Sequence, residues 1–268
     1  MAVDRSLITR PEQALTEADE IQQMLADEMN RDGERQAFEL KPPRFGISSQ
    51  LQLFVNKLTN DTYKTLEGVV IFSREVSGYW IEGEKAPVCS STDGINGIPR
   101  GSDHSQRCAA CKFNQWGSDQ KGGRGKACKQ MRRLIVQLEQ SPIPVILSIP
   151  PTSINAFDEY CSGLVTSKPQ RTYFAVITKM ALDKVSNPDG QDYSKVRFEK
   201  VRNLIIEEMY QVRKWRDEFQ KYVTVEIEAD DYSTTPSNGN GATPNSDYAN
   251  EPPPWEDDAP PPETPPEL

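Results

Sequence analysis

Three cysteines, Cys108, Cys111 and Cys128, lie in the stretch "CAACKFNQWGSDQKGGRGKAC", and a fourth, Cys89, stands nineteen residues before the first of them. Cys108 and Cys111 form a C-x2-C knuckle, the spacing at which two sulfurs reach one metal ion. Cys89 and Cys128 bring the set to four. Four thiolates close a tetrahedral zinc site with no open position, so one structural zinc ion is the expected cofactor. Unrelated buried or surface cysteines are the alternative. His104, the single histidine, sits four residues before Cys108 and could replace Cys89 as a ligand. Composition favours a metal. Between Cys89 and Cys128 there are two isoleucines and no leucine or valine, while seven of the chain's 16 glycines fall there. Such a segment has no core of its own and draws its folding energy from an ion.

The same region is basic. Arg100, Arg107, Lys112, Lys121, Arg124, Lys126, Lys129, Arg132 and Arg133 face only Asp103 and Asp119 within residues 100–133. Phe113 and Trp116 lie among these charges. Cations that track a phosphate backbone, interleaved with aromatic faces that stack on bases, suit single-stranded nucleic acid. Candidate contacts are therefore Lys112, Phe113, Trp116, Lys121, Arg124, Lys126, Arg132 and Arg133, joined by Arg74, Tyr79 and Trp80 from a neighbouring hairpin. Burial of Trp80 or Trp116 in a core, and a merely solvated charged face, are the competing readings. Catalysis is poorly served. One histidine gives little scope for a triad or for imidazole acid–base work. "GGRGKA" lacks the full spacing of a phosphate-binding loop. No catalytic residue is assigned.

These residues need a scaffold, and the rest of the chain outlines one of mainly β, α+β class. "LEGVVIFSREV", "SG" and "YWIEG" read as a strand, a tight turn and a second strand. "YFAVITKMALDKV", "SNPDGQD" and "YSKVRFEKV" read as a longer hairpin, with Val196 and Phe198 on one face. "RRLIVQLEQ" and "PVILSI" supply two more strands, although the first is also compatible with a helix. About five strands suggest a small barrel or sandwich. Helices are expected at "TSINAFDEYCSGL", with Ile154, Phe157, Cys161 and Leu164 on one face, and at "NLIIEEMYQVRKWRDEFQKY", with Ile205, Met209, Val212 and Phe219. Cys161 reads as a small core hydrophobe.

Three regions follow: an amphipathic helical segment at 1–35, a folded domain at 36–222 and an acidic, Pro-rich tail at 223–268. The tail has no Lys or Arg and holds eleven of the 40 acidic residues, which leaves 29 against 31 basic ones in the remainder. Its polar, Gly- and Pro-rich composition predicts disorder. No apolar h-region opens the chain and no apolar run is long enough for a bilayer, so a cytoplasmic protein is expected.

"CSSTDG", "CAACKFNQWGS", "GKACKQMRRL" and "LSIPPTSINAFDEY" together resemble a family of phage-type single-stranded DNA-binding proteins, over about residues 40–205. The resemblance implies an OB-fold barrel with a zinc-binding insertion, here at about 86–130, and zinc on Cys89, Cys108, Cys111 and Cys128. It implies a groove for the strand and work in DNA replication and recombination, coating and protecting single strands with little sequence preference. Related helix-destabilising proteins include a histidine among the ligands, a role only His104 could take here. The resemblance also gives the acidic tail a purpose, recruiting replication and recombination proteins and competing with DNA, with Trp255, Glu256, Asp257 and Asp258 as the docking element. The N-terminal helix would promote self-association along the strand. Rival readings are a zinc-ribbon adaptor that binds duplex DNA or protein, and a nuclease with an open carboxylate metal site.

Overall fold

The computed structural model describes Met24 and residues 41–48, 51–81, 84, 86–102, 104–119, 125–139, 141, 143–186, 192–228 and 231. The expected N-terminal helix (Met24 apart), Lys121, Arg124 and the tail residues Trp255, Glu256, Asp257 and Asp258 lie outside the described residues. Within them the chain is mainly β, with one mixed sheet and two α-helices. No helix among the described residues is long and apolar enough to cross a membrane.

Strand β1 (Arg44–Ser48) pairs antiparallel with β2 (Leu53–Asn56), which carries the short β3 (Thr62–Tyr63). The long β4 (Thr65–Tyr79) runs antiparallel to β8 (Cys128–Leu138) from Gly68 to Tyr79. The chain between them forms the small strands β5 (Cys89–Ser91), β6 (Asn96–Pro99) and β7 (Gln106–Arg107). β8 continues antiparallel onto β9 (Val145–Ile149), and β9 lies parallel to β1. Helix α1 (Pro151–Thr166) then leads to the hairpin of β10 (Val176–Ser186) and β11 (Asp192–Asn203), and β10 returns to pair with Thr65–Gly68 of β4. Helix α2 (Ile206–Glu218) follows β11.

Both faces of the central sheet are covered. On one side Leu134, Val136, Leu147 and Ile149 meet Met180 and Val196 of the hairpin and Phe157 of α1. On the other, Val69, Ile71, Ile135 and Ile146 meet Val212 of α2 with Phe219 and Tyr222 beyond it. A strand buried on both faces loses the polar–apolar alternation and reads as a continuous apolar run. That explains why "RRLIVQLEQ" carries no clear period and is nevertheless strand.

The helices dock through buried polar groups as well as apolar stripes. Ser153 does not cap α1. It sits inside the first turn, which Pro151 opens, and its hydroxyl accepts the Val196 N–H of β11 at 2.9 Å. Phe157 and Leu164 are buried, and Cys161 packs partly buried against the same core, where burial pushes its thiol up to about 11. Glu208 is fully buried in α2. It accepts two 2.7 Å bonds from Arg202 and the Ile205 N–H at 2.9 Å. Ile205, assigned by its spacing to the buried stripe, is exposed, because it is the extended residue before the helix; Leu204 is buried instead.

Two further expectations are corrected. "SG" is not a turn, because β4 runs unbroken through Ser77 and Gly78. A Cβ at Gly78 would lie 2.3 Å from the Trp80 ring, so this glycine makes room for an indole. The folded part also does not end at 222. Residues 225–228, with Asp231, form a strap across β8 and β9, with Ile227 and Asp231 buried. Asp231 accepts from Arg44, from Arg133 at 3.2 Å, from the Ser148 hydroxyl at 2.8 Å and from the Glu228 N–H at 3.0 Å. The acidic composition that marked this stretch as tail is here the counter-charge of two arginines. Burial lowers the Arg133 pKa, and the Asp231 carboxylate opposes that shift.

Removing one partner of a buried ion pair strands the other, at a cost of about 3–5 kcal/mol. Asp231→Ala should therefore lower unfolding stability by about that amount. Urea unfolding followed by circular dichroism checks this, and a change under 1 kcal/mol (roughly the worth of a surface pair) would contradict the arrangement.

Candidate functional site: the cysteine cluster and its aromatic rim

The end of the β4–β8 pair builds the site. Tyr79, the last residue of β4, stands in register with Cys128 on one side and with Cys89 on the other. Two cysteines far apart in sequence are thus fixed by the sheet. Of the other two, Cys108 opens a one-turn 3-10 segment, Cys108–Ala110, and Cys111 is the extended residue between it and the next, Lys112–Asn114. The Cys111 N–H donates to the Cys108 carbonyl at 3.1 Å, and the Cys108 N–H to the Ile95 carbonyl at 2.8 Å. Asn114 and Gln115 brace the knuckle with their side-chain amides, which donate to the carbonyls of Cys108 at 3.0 Å and Ala109 at 2.9 Å.

All four cysteines line one cavity of about 280 Å³, together with Tyr79, Phe113 and Gly97. A Cβ at Gly97 would stand 3.1 Å from the Cys89 sulfur and 3.4 Å from the Cys108 sulfur. The missing side chain lets two sulfurs approach over β6. His104 is exposed and, among the described residues, does not line the cavity. Both isoleucines of the insertion, Ile95 and Ile98, are 53% exposed. Its interior consists of Tyr79, Ala127 and Cys128, with Val88, Cys89 and Phe113 packed against them.

Burial pushes the Cys128 thiol up to about 12, and the three neighbouring cysteines push in the same direction. Burial also raises Cys89 and Cys108. Sulfurs crowded in an apolar cavity resist carrying charge unless a cation neutralises them. By number and type the donor set fits a soft tetrahedral ion. Among the described residues no group of three or more His, Cys, Asp or Glu side chains is placed so that it could hold a metal ion. The turn that leads into β6 is tied together by Asp93. Asp93 accepts from the N–H groups of Ile95 at 2.8 Å and Asn96 at 2.7 Å, and from the Ser91 hydroxyl at 2.9 Å. Burial pushes the Asp93 carboxyl upward, but these bonds outweigh it and hold the group well below the usual carboxylate range.

The candidate contacts divide sharply. Four gather on the insertion. Lys112 lies 4.9 Å over the Phe113 ring, and Lys126 lies 4.6 Å over Trp116, which is 45% exposed. Phe113 stacks at 4.3 Å on Tyr79, so Tyr79 is buried support and is corrected from contact to scaffold. Arg133 lies in the interior. It is 0% exposed and engaged by Asp231, because β8 is covered on that face. Arg132 is held by Glu75 and Asp158, each at 3.3 Å. Trp80 packs partly buried against Val76, Met131 and Ile227. Arg74 is exposed and stands in register with Arg133.

Gly97, Asn114, Gln115 and Asp93 support the site but were not singled out from sequence. The amides directly after the C-x2-C pair were the available signal. No protein-family model, curated protein or solved structure matches the chain.

Proposed function

We propose that this chain is a non-catalytic single-stranded DNA-binding protein whose insertion is held by one structural zinc ion on Cys89, Cys108, Cys111 and Cys128. One observation carries the proposal. A single small insertion gathers four sulfur donors round a common cavity and two cation–aromatic pairs at its rim, Lys112 with Phe113 and Lys126 with Trp116. Zinc, when bound, supplies a closed tetrathiolate cross-link and no reactive position. The protein's own groups do the binding. Lysines attract the phosphates, and the Trp116 and Phe113 faces stack on unpaired bases. Duplex DNA hides its base faces, so this chemistry favours single strands.

The strand order supports an OB-type domain. Three successive antiparallel strands, β4, β8 and β9, are followed by α1 and then by a hairpin whose first strand returns to β4. This is the order of a five-stranded OB barrel with the insertion in its first connection, a loop that such folds use for oligonucleotides. The departure lies at the closing seam. β1 occupies the parallel position beside β9, and among the described residues β11 pairs only with β10. On this reading the protein coats and protects single strands in replication and recombination, in the cytoplasm of the cell that makes it. The tail around Trp255 would recruit partner proteins, and the N-terminal segment would serve self-association.

Titration of a fluorescent oligo-dT and of its duplex across a salt series tests the proposal. Tight single-strand binding that weakens with salt is expected, and Trp116→Ala should cost about 1–3 kcal/mol of it. Equal or stronger binding of duplex would instead favour the adaptor reading. The zinc assignment has its own check. Gly97→Ala places a methyl against two sulfurs and should reduce zinc retention about tenfold in a chelator competition. Unchanged retention would mean that the sulfurs do not converge over Gly97.

A further inference from the structure

The strap of residues 225–228, with Asp231, holds a charged centre as well as an apolar contact. Beneath it, one carboxylate, that of Asp231, gathers two guanidinium groups, a hydroxyl and a backbone N–H. Arg44 also donates to the Glu226 carbonyl at 2.9 Å and to the Glu228 carboxylate at 3.2 Å, and Arg133 donates to the Val225 carbonyl. Three of the four donors to Asp231 belong to the sheet: Arg44 on β1, Arg133 on β8 and Ser148 on β9. Two planar forks and a hydroxyl converging on one point are also the donor set that a phosphodiester accepts.

The neighbouring ground fits the same ligand. Ile227 of the strap covers Val76 and Met131, with Trp80 packed against them. Arg74, exposed, stands opposite Arg133. Lifting the strap would therefore present cations beside an indole on one sheet face, the combination that binds a phosphate and its base.

We propose that Arg44, Arg133 and Ser148 form a phosphodiester-binding site whose resident occupant is Asp231, and that a single strand takes this site by displacing Asp231 together with residues 225–228. The proposal rests on the single-strand reading above. The exchange is like for like. A phosphate replaces a carboxylate, so neither arginine is left buried and unpaired. A base replaces Ile227 over Met131 and Val76. The arginine that burial removes from the free surface thus returns as a contact in the bound state.

Hydrogen exchange of the full-length protein, read by mass spectrometry with and without saturating oligo-dT, tests the displacement. The amides of residues 225–228 should lose protection by about tenfold or more when dT binds. Unchanged or increased protection, with dT demonstrably bound, would overturn the proposal and leave the single-strand reading standing. Failure to bind dT at all would overturn both. Asp231→Asn provides a second reading, since it weakens the strap's charged hold while keeping its shape. It should tighten dT binding by about tenfold or more, given the worth of a charged hydrogen bond. Equal affinity in a folded variant would count against the site.

Discussion

The Asp231 carboxylate, held between Arg44 and Arg133 in the interior, is the interaction on which the arrangement of the rest depends. Arg133 lies in the middle of the central strand, where an unpaired guanidinium would be severely penalised. Its charge is tolerable only because the chain comes back after α2 and delivers a carboxylate to it. The same carboxylate reaches Arg44 on β1, so one side chain ties the first described strand, the central strand and the last described residues together. The strap then covers a sheet face that would otherwise be open, with Ile227 buried against Val76 and Met131.

The insertion inherits its order from the sheet in a similar way. Tyr79 is the hinge. Its backbone places Cys89 and Cys128 on either side of it, and its ring supports Phe113. Sheet register fixes half the sulfurs before any metal acts. The knuckle brings the other half, wired by its own carbonyls and two side-chain amides. An ion bound there would couple the aromatic side chains of the insertion to the end of the β4–β8 pair, so loss of metal should disturb the insertion more than the core.

Much of this was legible in the sequence, for identifiable reasons. The C-x2-C knuckle, the glycine-rich and leucine-free stretch around it, the β10–β11 hairpin with Val196 facing inward and the Phe157–Leu164 stripe are all local patterns. What failed depended on contacts distant in sequence. Arg133 resembles its neighbours Lys129 and Arg132 as a surface cation until a carboxylate ninety-eight positions later is brought to it. Asp231 looks like the start of an acidic tail for the same reason. Gly78 follows a serine in a pair that usually turns, yet its role is set by the indole of Trp80. β8 hid its strand character because two layers cover it, which removes the period that local reading needs.

On the proposed reading a single strand is held by two aromatic rings of the insertion, the exposed Trp116 and the half-buried Phe113. Photocrosslinking of an oligo-dT carrying 5-bromodeoxyuridine, with the adducts mapped by mass spectrometry, addresses it most directly. Adducts are expected at Trp116 and Phe113, lost when excess unlabelled dT is added. Specific adducts confined to α2 or to the β10–β11 hairpin, with none on the insertion, would contradict it.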